Sequence, residues 1–513
     1  MTRPRAPLVN FSLALLGAVL LVLVFPNIVF PGAGLPWLAP LALIPLLIAV
    51  AGEPRPLWRF LLGETAGIVY WLGICYWIQF VLEVHGGMGR WGGWGTFALF
   101  CLFRAVHWGV FTMFAAVLLP TRFAVPAIAA LWTGIERVPS LFGFTWLALG
   151  DAGIDMPLPL RLAPITGVYG LSFLFALGSA AIAVVLLGRS RRQLYWLALA
   201  LAPLLLPGLP APQTGDQTAL LVQPNMDEDA DYTPQSAAEV RDTLIARTME
   251  AARGSNAELI LWPEVPGPIY YYQDPTFRDE ATNLARLTHA YFLFGTVGAT
   301  PAGAPLNSAV MIQPNGDFED RYDKINLVPF GEYVPALFGF VNRVTHEAGD
   351  FAPGSRMVVF PLDARALSAF ICYESVFPDE VRRFADQGAQ LLVNLSNDGY
   401  FGHSAAREQH LEMVRMRAVE NGRWLLRATN DGITAVVDPD GQVRQRLPMY
   451  QAATAQARFR YVEEKTLYTA HGDWFAWSCL AAAAIALFFS QRPHFTPPDP
   501  RSSRAGSPER RHP

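Results

Sequence analysis

Four cysteines occur in 513 residues. One of them, Cys372, ends an apolar run in ALSAFICYESVFP, beside a tyrosine and a glutamate. A thiol near its free pKa of about 8.5 is mostly protonated at neutral pH, so it needs a base to become a nucleophile. The carbonyl it attacks needs a cation or an N–H group for the developing oxyanion. Glu264 suits the first need, because it closes the apolar run of LILWPEVPGP between two prolines that stiffen its exit. Lys324, in DRYDKINLVPFGEYVP, suits the second. Only Lys465 accompanies it in the polar part of the chain, residues 215–465, so it is not one of many solubilising lysines. His289, His346, His403 and His410 follow no strand end in an obvious pairing, which leaves a Cys–His dyad open but unsupported. Each residue alone also has a plainer reading: a buried structural cysteine, or a surface ion for Glu264 and Lys324. An acid, a lysine and a thiol in three apolar-flanked, proline-punctuated segments together favour one shared site.

Such residues need a scaffold that holds strand ends side by side. ALLVQPN, ELILWPE, YFLFGTVG, SAVMIQP, RMVVF, LSAFICYE and QLLVNLSND read as buried strands, while AEVRDTLIARTMEAARG and AAREQHLEMVRMRAVENG have helical spacing. Strands alternating with helices predict an α/β layered domain. Its polar residues fall at strand ends: Glu264, Cys372, and Asn397 with Asp398.

The rest of the chain is apolar. Overall 52% of residues are hydrophobic and 16% charged, and the net charge of −4 gives no reason to expect a nucleic-acid partner. Eight stretches are long enough to span a bilayer, near 8–25, 35–51, 60–82, 93–119, 123–140, 163–187, 193–209 and 472–490. The fifth is the weakest, since Glu136 and Arg137 interrupt it. The first has Arg3 and Arg5 ahead of it like a signal peptide, but no small-residue cleavage site precedes Pro26, so a retained helix is expected. Arg3 and Arg5, Arg55 and Arg59, Arg122, then Arg189, Arg191 and Arg192 fall on one face if the spans alternate, as do the tail arginines. By the positive-inside rule both termini are expected in the cytoplasm and the α/β domain outside it. The expected organisation is a membrane domain with seven helices at 1–212, the exported domain at 213–466, an eighth helix at 467–491 and a disordered cytoplasmic tail at 492–513. Cys75, Cys101 and Cys479 lie in predicted spans, so Cys372 is the only thiol of the exported domain. No disulfide within that domain and no cysteine-based zinc site is open to it.

LILWPE, YDKINLVPFGEYVP and FICYESVFP resemble the Glu-Lys-Cys motifs of the nitrilase superfamily. LVQPN, GVYGLSFLFAL and NLSNDGYFGHSAAREQHLEMVRMRAVENGRWLLRATNDGITAVVDPDG resemble its membrane branch, the apolipoprotein N-acyltransferases. The likeness runs over nearly the whole chain. It implies an αββα sandwich on the periplasmic side of the bacterial inner membrane, inserted into a polytopic helical bundle of about eight spans. It also implies roles: Glu264 as general base, Cys372 as nucleophile, Lys324 as oxyanion stabiliser with the Tyr373 backbone N–H, and Glu332 and Glu374 as supporting carboxylates. Tyr232, Tyr270, Tyr271, Asn307 and Tyr400 are candidates for substrate binding or gating. Asn326 departs from a usual histidine, and Tyr400 and Tyr232 stand where tryptophan is usual or frequent.

The implied reaction carries an acyl group from a phospholipid, through a Cys372 thioester, to the α-amine of a diacylglyceryl-cysteine on an apolipoprotein. It implies no cofactor and no metal, and a monomer is expected. The apolar segments 266–272 and 333–341 are expected to dip into the lipid interface, with core packing as their alternative. Arg104 with His107, and Glu136 with Arg137, either face a headgroup cavity or pair to hold the bundle. Two other classes stay open. A membrane-anchored amidase would share the triad without needing lipid-facing loops, and a transporter or receptor would need neither acid, lysine nor thiol.

Overall fold

The computed structural model describes residues 6–209, 214–227, 230–329, 331–333 and 351–490. The expected tail and most of the 333–341 segment lie outside the described residues. The first part is helical: α1 (Pro7–Val24), α2 (Ile44–Ala51), α3 (Pro56–Ile74), α4 (Trp77–Glu83), α5 (Gly89–Leu118), α6 (Ala124–Arg137), α7 (Pro157–Leu160), α8 (Ala163–Thr166) and α9 (Val168–Leu186). Small residues let these helices approach. A Cβ on Gly63 of α3 would lie 2.1 Å from Thr112 Oγ1 of α5, and one on Gly67, a turn later, 2.9 Å from Ala105 Cβ. Close backbone approach of this kind is how helices associate where lipid removes the hydrophobic drive.

Among the described residues α1, α5 and α9 are each long and apolar enough to cross a membrane, and α3 with α4 makes a fourth candidate bent by 67°. Other expected spans take shorter forms. The 35–51 stretch is a 3-10 turn (Pro36–Leu38) followed by α2, 123–140 is α6 running into a 3-10 segment (Val138–Phe142), and 193–209 is a 3-10 helix (Arg191–Leu205).

Among the described residues twelve strands follow: β1 (Gln217–Gln223), β2 (Leu259–Leu261), β3 (Tyr291–Ala299), β4 (Pro305–Ile312), β5 (Phe318–Asp323), β6 (Phe360–Leu362), β7 (Arg365–Ile371), β8 (Leu391–Ser396), β9 (Leu425–Thr429), β10 (Ala435–Val437), β11 (Val443–Arg446) and β12 (Ala453–Phe459). They form two six-stranded sheets, ordered β12-β1-β2-β3-β4-β5 and β11-β10-β9-β8-β7-β6. The sheets face each other through β4 with β7 and β1 with β9. α10 (Pro234–Ala252) and α11 (Pro275–Thr288) cover the first sheet, and α12 (Pro378–Asp386) covers the second with α13 (Ala406–Asn421) beyond the strand ends. The result is an α/β domain of αββα layering. The RMVVF run is not a strand except at Phe360. The chain then returns through α14 (Leu467–His471) to α15 (Trp474–Ser490), an apolar helix of 17 residues.

The two parts are bolted together by polar contacts. Gln409 of α13 donates to the carbonyls of Pro26 (2.7 Å) and Ile74 (3.1 Å) and accepts from Trp146 Nε1 (2.8 Å). Glu420, paired with Arg417, accepts from the Val168 N–H at 2.8 Å, at the start of α9 where helix N–H groups lack partners.

Candidate active site

Each sheet ends in one wall of the site. β2 stops at Leu261, and Trp262 and Pro263 carry the chain to Glu264. Gly295 of β3 makes room for this exit, since a Cβ there would lie 2.6 Å from Glu264 Cα and from the Pro263 carbonyl. Lys324 directly follows β5, with its backbone N–H bonded to the Asn307 carbonyl of β4 at 2.8 Å. From the second sheet, Cys372 directly follows β7 and opens a 3-10 turn (Cys372–Val376). It is held at φ 49°, a left-handed conformation that a non-glycine residue rarely adopts. A strained strand-to-helix elbow presents its side chain outward from the sheet, and such strain persists only where surrounding contacts hold it.

The side chains converge. Lys324 Nζ lies 3.3 Å from Glu264 Oε1 and 2.9 Å from the Glu332 carboxylate. Asn307 Nδ2 donates to both acids at 2.7 Å, and the Asn397 N–H donates to Glu264 Oε2 at 2.9 Å. Cys372 lies close enough for the Glu264 charge to act on its thiol, and the Asn397 that binds Glu264 follows β8, the strand paired with β7. Glu264, Lys324 and Cys372 are all buried. Tyr373 is the second residue of its turn, so its N–H is among the donors that a helix leaves unpaired.

Burial sets the electrostatics. It raises the Glu264 pKa against the pull of Lys324, so the carboxylate is a better base than a solvated one. Burial, then the Glu264 charge, pushes the Cys372 thiol up, and Lys324 offsets only part of this. The resting sulfur is therefore a thiol with its acceptor beside it. For Lys324, burial works against the charge, but Glu264 and Glu332 outweigh it and hold the ammonium well above its usual range. The arrangement suits proton transfer from sulfur to Glu264 with a fixed cation nearby, which is the chemistry of acyl transfer through a thioester.

The chain also resembles known proteins. Residues 218–463 match the family model described as carbon-nitrogen hydrolase, and 17–181 match the apolipoprotein N-acyltransferase N-terminal domain. The curated apolipoprotein N-acyltransferase of Ralstonia nicotianae is 32% identical over 85% of this chain and 86% of its own. That of Geobacter metallireducens is 33% identical over 94% of this chain and 96% of its own. The chain belongs to the apolipoprotein N-acyltransferase family. A solved amidase structure from Nesterenkonia sp. matches with TM-score 0.36 and 22% identity, over 50% of this chain and 94% of that one, and adds nothing to the fold as described.

As a member of the apolipoprotein N-acyltransferases, the chain places the other expected residues unevenly. Glu374 does not touch Glu264 in any contact described. Its Oε1 accepts from Tyr322 OH (2.6 Å) and the Ile325 N–H (2.6 Å), and its Oε2 accepts from the Ile371 N–H (2.7 Å). It is a strut between the Cys372 elbow and the Lys324 loop. Tyr271 corrects the gating expectation: it is buried, packed on Phe277 and Phe294, because the chain after Tyr270 turns into the core of the first sheet's outer face. Tyr270 is 37% exposed. Tyr400 stacks edge-on against His85 from the membrane part at 4.8 Å, and Tyr232 OH donates to the Asp227 carbonyl at 3.0 Å.

The Cys372 side also holds a network the sequence reading did not assemble. His410 reaches Ser375 Oγ (2.6 Å), the Cys372 carbonyl (3.2 Å) and Asp398 (3.2 Å). Arg427 binds both Asp398 oxygens at 2.7 and 2.8 Å. Although burial would raise Asp398, Arg427 and His410 hold it far below the usual carboxylate range. His410 thus braces the elbow from behind. Glu380 of α12 was missed too; it accepts from Asn326 and lies against Glu374.

Proposed function

We propose that this enzyme transfers an acyl group from a membrane phospholipid to the α-amine of a diacylglyceryl-cysteine on an apolipoprotein, with Cys372 as the carrier. The convergence of Cys372, Glu264 and Lys324 at the ends of two sheets carries the proposal. Glu264 takes the thiol proton as sulfur attacks the ester carbonyl, and Lys324 with the Tyr373 N–H receives the oxyanion. The tetrahedral species collapses, the C–O bond breaks, and Glu264 returns the proton to the departing lysophospholipid oxygen. In the second half the acceptor amine gives a proton to Glu264 and attacks the thioester. An amide forms, the C–S bond breaks and sulfur regains a proton. Asn307 and Glu332 position the lysine and the base. The expected setting is the bacterial inner membrane, with eight crossings, the domain at 213–466 in the periplasm and a monomeric enzyme.

Intact-mass measurement tests this. With phospholipid alone, the purified enzyme should gain one acyl group, and Cys372→Ala should gain none. A diacylglyceryl-cysteine peptide with a free amine should discharge the adduct, whereas an N-blocked peptide should not. Sustained fatty-acid release without amine, or ammonia release from small amides without lipid, would overturn the proposal in favour of a hydrolase.

A further inference from the structure

The other buried arginines among the described residues have partners: Arg137 pairs with Asp473, Arg407 with Asp431, Arg417 with Glu420 and Arg427 with Asp398, and Arg423 donates to the backbone carbonyls of Ala389 and Glu464. Arg104 differs. It is 7% exposed, its Nε lacks an acceptor, and among the described residues no carboxylate lies within ion-pair distance. Its guanidinium sits over the rings of Trp71 (4.7 Å) and Phe144 (5.3 Å), contacts that leave its N–H edge available. An unpaired buried cation is costly, and within a bundle it ordinarily marks a ligand or a pathway.

Arg104 lines a cavity walled by Trp71, Trp108, Trp132, Glu136 and Trp146. Arg104 is linked to the active site through one ring: Phe144, under its guanidinium, packs on Tyr373 with ring centres 6.0 Å apart, and Tyr373 OH donates to the Gly143 carbonyl at 3.3 Å. Tyr373 is the neighbour of Cys372 in sequence.

We propose that Arg104 anchors the phosphodiester of the phospholipid acyl donor. A guanidinium binds phosphate oxygens through a two-pronged fork that lysine cannot copy. The ester carbonyls of such a lipid lie a few bonds from the phosphate, so an anchor beside Tyr373 brings them towards Cys372. Glu136 adds selectivity. One of its oxygens accepts from Trp132 and the Leu149 N–H while Oε2 is unpartnered, and a single guanidinium beside an acidic side chain offsets one negative charge of the ligand but not a second. A singly charged diester is therefore preferred over a monoester, which carries about −1.5 to −2 at pH 7.

The inference rests on a phospholipid being the donor, so its test reads binding and needs no turnover. Full-length Cys372→Ala enzyme in neutral detergent is titrated with a diether phosphodiester lipid, followed by tryptophan fluorescence from the cavity wall. Arg104→Gln should weaken binding by about 10–100-fold, the range for a lost hydrogen-bonded charge, and Arg104→Lys should fall between. Diacylglycerol, which lacks phosphate, should bind both forms alike, which also reports that the variants are folded. Phosphatidic acid and inorganic phosphate should compete poorly. Equal diether-lipid affinity in wild type and Arg104→Gln, an equal loss of diacylglycerol binding, or competition by inorganic phosphate as strong as by the lipid would each overturn it. Arg104-dependent binding of the ether lipid would stand even if acyl transfer from phospholipids failed.

Discussion

The two sheets that meet at the site are built differently. The second sheet holds Cys372 in a strained backbone conformation and braces it with fully buried, paired groups: Ser375, His410, Asp398 and Arg427. The first sheet also has a positive φ beside its site residue, at Val265 (φ 32°) after Glu264, but it crowds two acids around one lysine. One wall is organised for position and the other for charge. The difference teaches that similar burial serves separate ends, so substitutions on the two walls should fail in different ways.

The largest effects should come from the charge wall and the nucleophile themselves. Cys372→Ala should form no acyl-enzyme at all. Glu264→Gln should lower acylation by about 10²–10⁴-fold, the usual contribution of a positioned base, and Lys324→Met by about 10²–10³-fold, as for a lost oxyanion donor. Expression and unfolding temperature should change little for Glu264→Gln. Rapid-quench acylation kinetics check this, and a Lys324→Met enzyme with most of its activity would break the comparison.

The position wall should fail through stability instead. Arg427→Met takes the paired cation from buried Asp398, leaving it only His410 and Ser396; breaking a buried pair by removing one partner typically costs about 3–5 kcal/mol. The fraction of enzyme still folded after heating in detergent should fall sharply, while the surviving fraction acylates at a rate much closer to wild type. A rate loss as large as that of Glu264→Gln, with normal heat resistance, would mean that the network takes part in the chemistry.

How legible these walls were follows from the same physics. Glu264 and Cys372 could be read because apolar strands buried on both faces form continuous runs, and their ends stand out; Lys324 could be read because only Lys465 accompanies it in the polar part of the chain. β5, with sequence FEDRYD, could not, because an edge strand carries charge that protects it from pairing with another chain. The network behind Cys372 was half visible. Asn397 and Asp398 were noticed at a strand end, but Arg427 in LLRAT and His410 in a polar helix meet them only through tertiary packing. Tyr271 was misread because a tyrosine run after a proline looks alike in a lipid-facing loop and in a folded-back core segment. The broken helices of the membrane part share composition with unbroken ones, so hydropathy located them but not their shape.

A smaller effect separates the two half-reactions by pH. Glu264 must be deprotonated to act, and its folded pKa lies above the ordinary 4.5 because it is buried. Acylation should therefore fall as pH drops through that raised value, about tenfold per unit below it. Aminolysis of the thioester should also need a neutral acceptor amine, whose pKa is about 7.7–8.0. Its inflection should lie at higher pH than that of acylation. Single-turnover profiles of each step test the order, and coincident inflections would mean that one group limits both.

The smallest effect should lie where the walls touch. Asn326 donates its N–H to Glu374 at 3.2 Å and its side-chain amide to Glu380. Burial and the neighbouring Glu374 hold Glu380 well above the usual carboxylate range, so the two acids are kept together at the cost of charge. An imidazole can still donate to Glu380, and Asn326→His should keep acylation within about threefold, well under one lost hydrogen bond. Asn326→Ala leaves Glu380 without that donor and should cost about 1–3 kcal/mol of stability, read as lower heat resistance, with a modest rate loss as the Lys324 loop loosens. That ordering is expected if Asn326 ties the charge wall to the position wall. Abolished acylation in the histidine variant, with normal heat resistance, would instead place Asn326 in contact with the acyl donor.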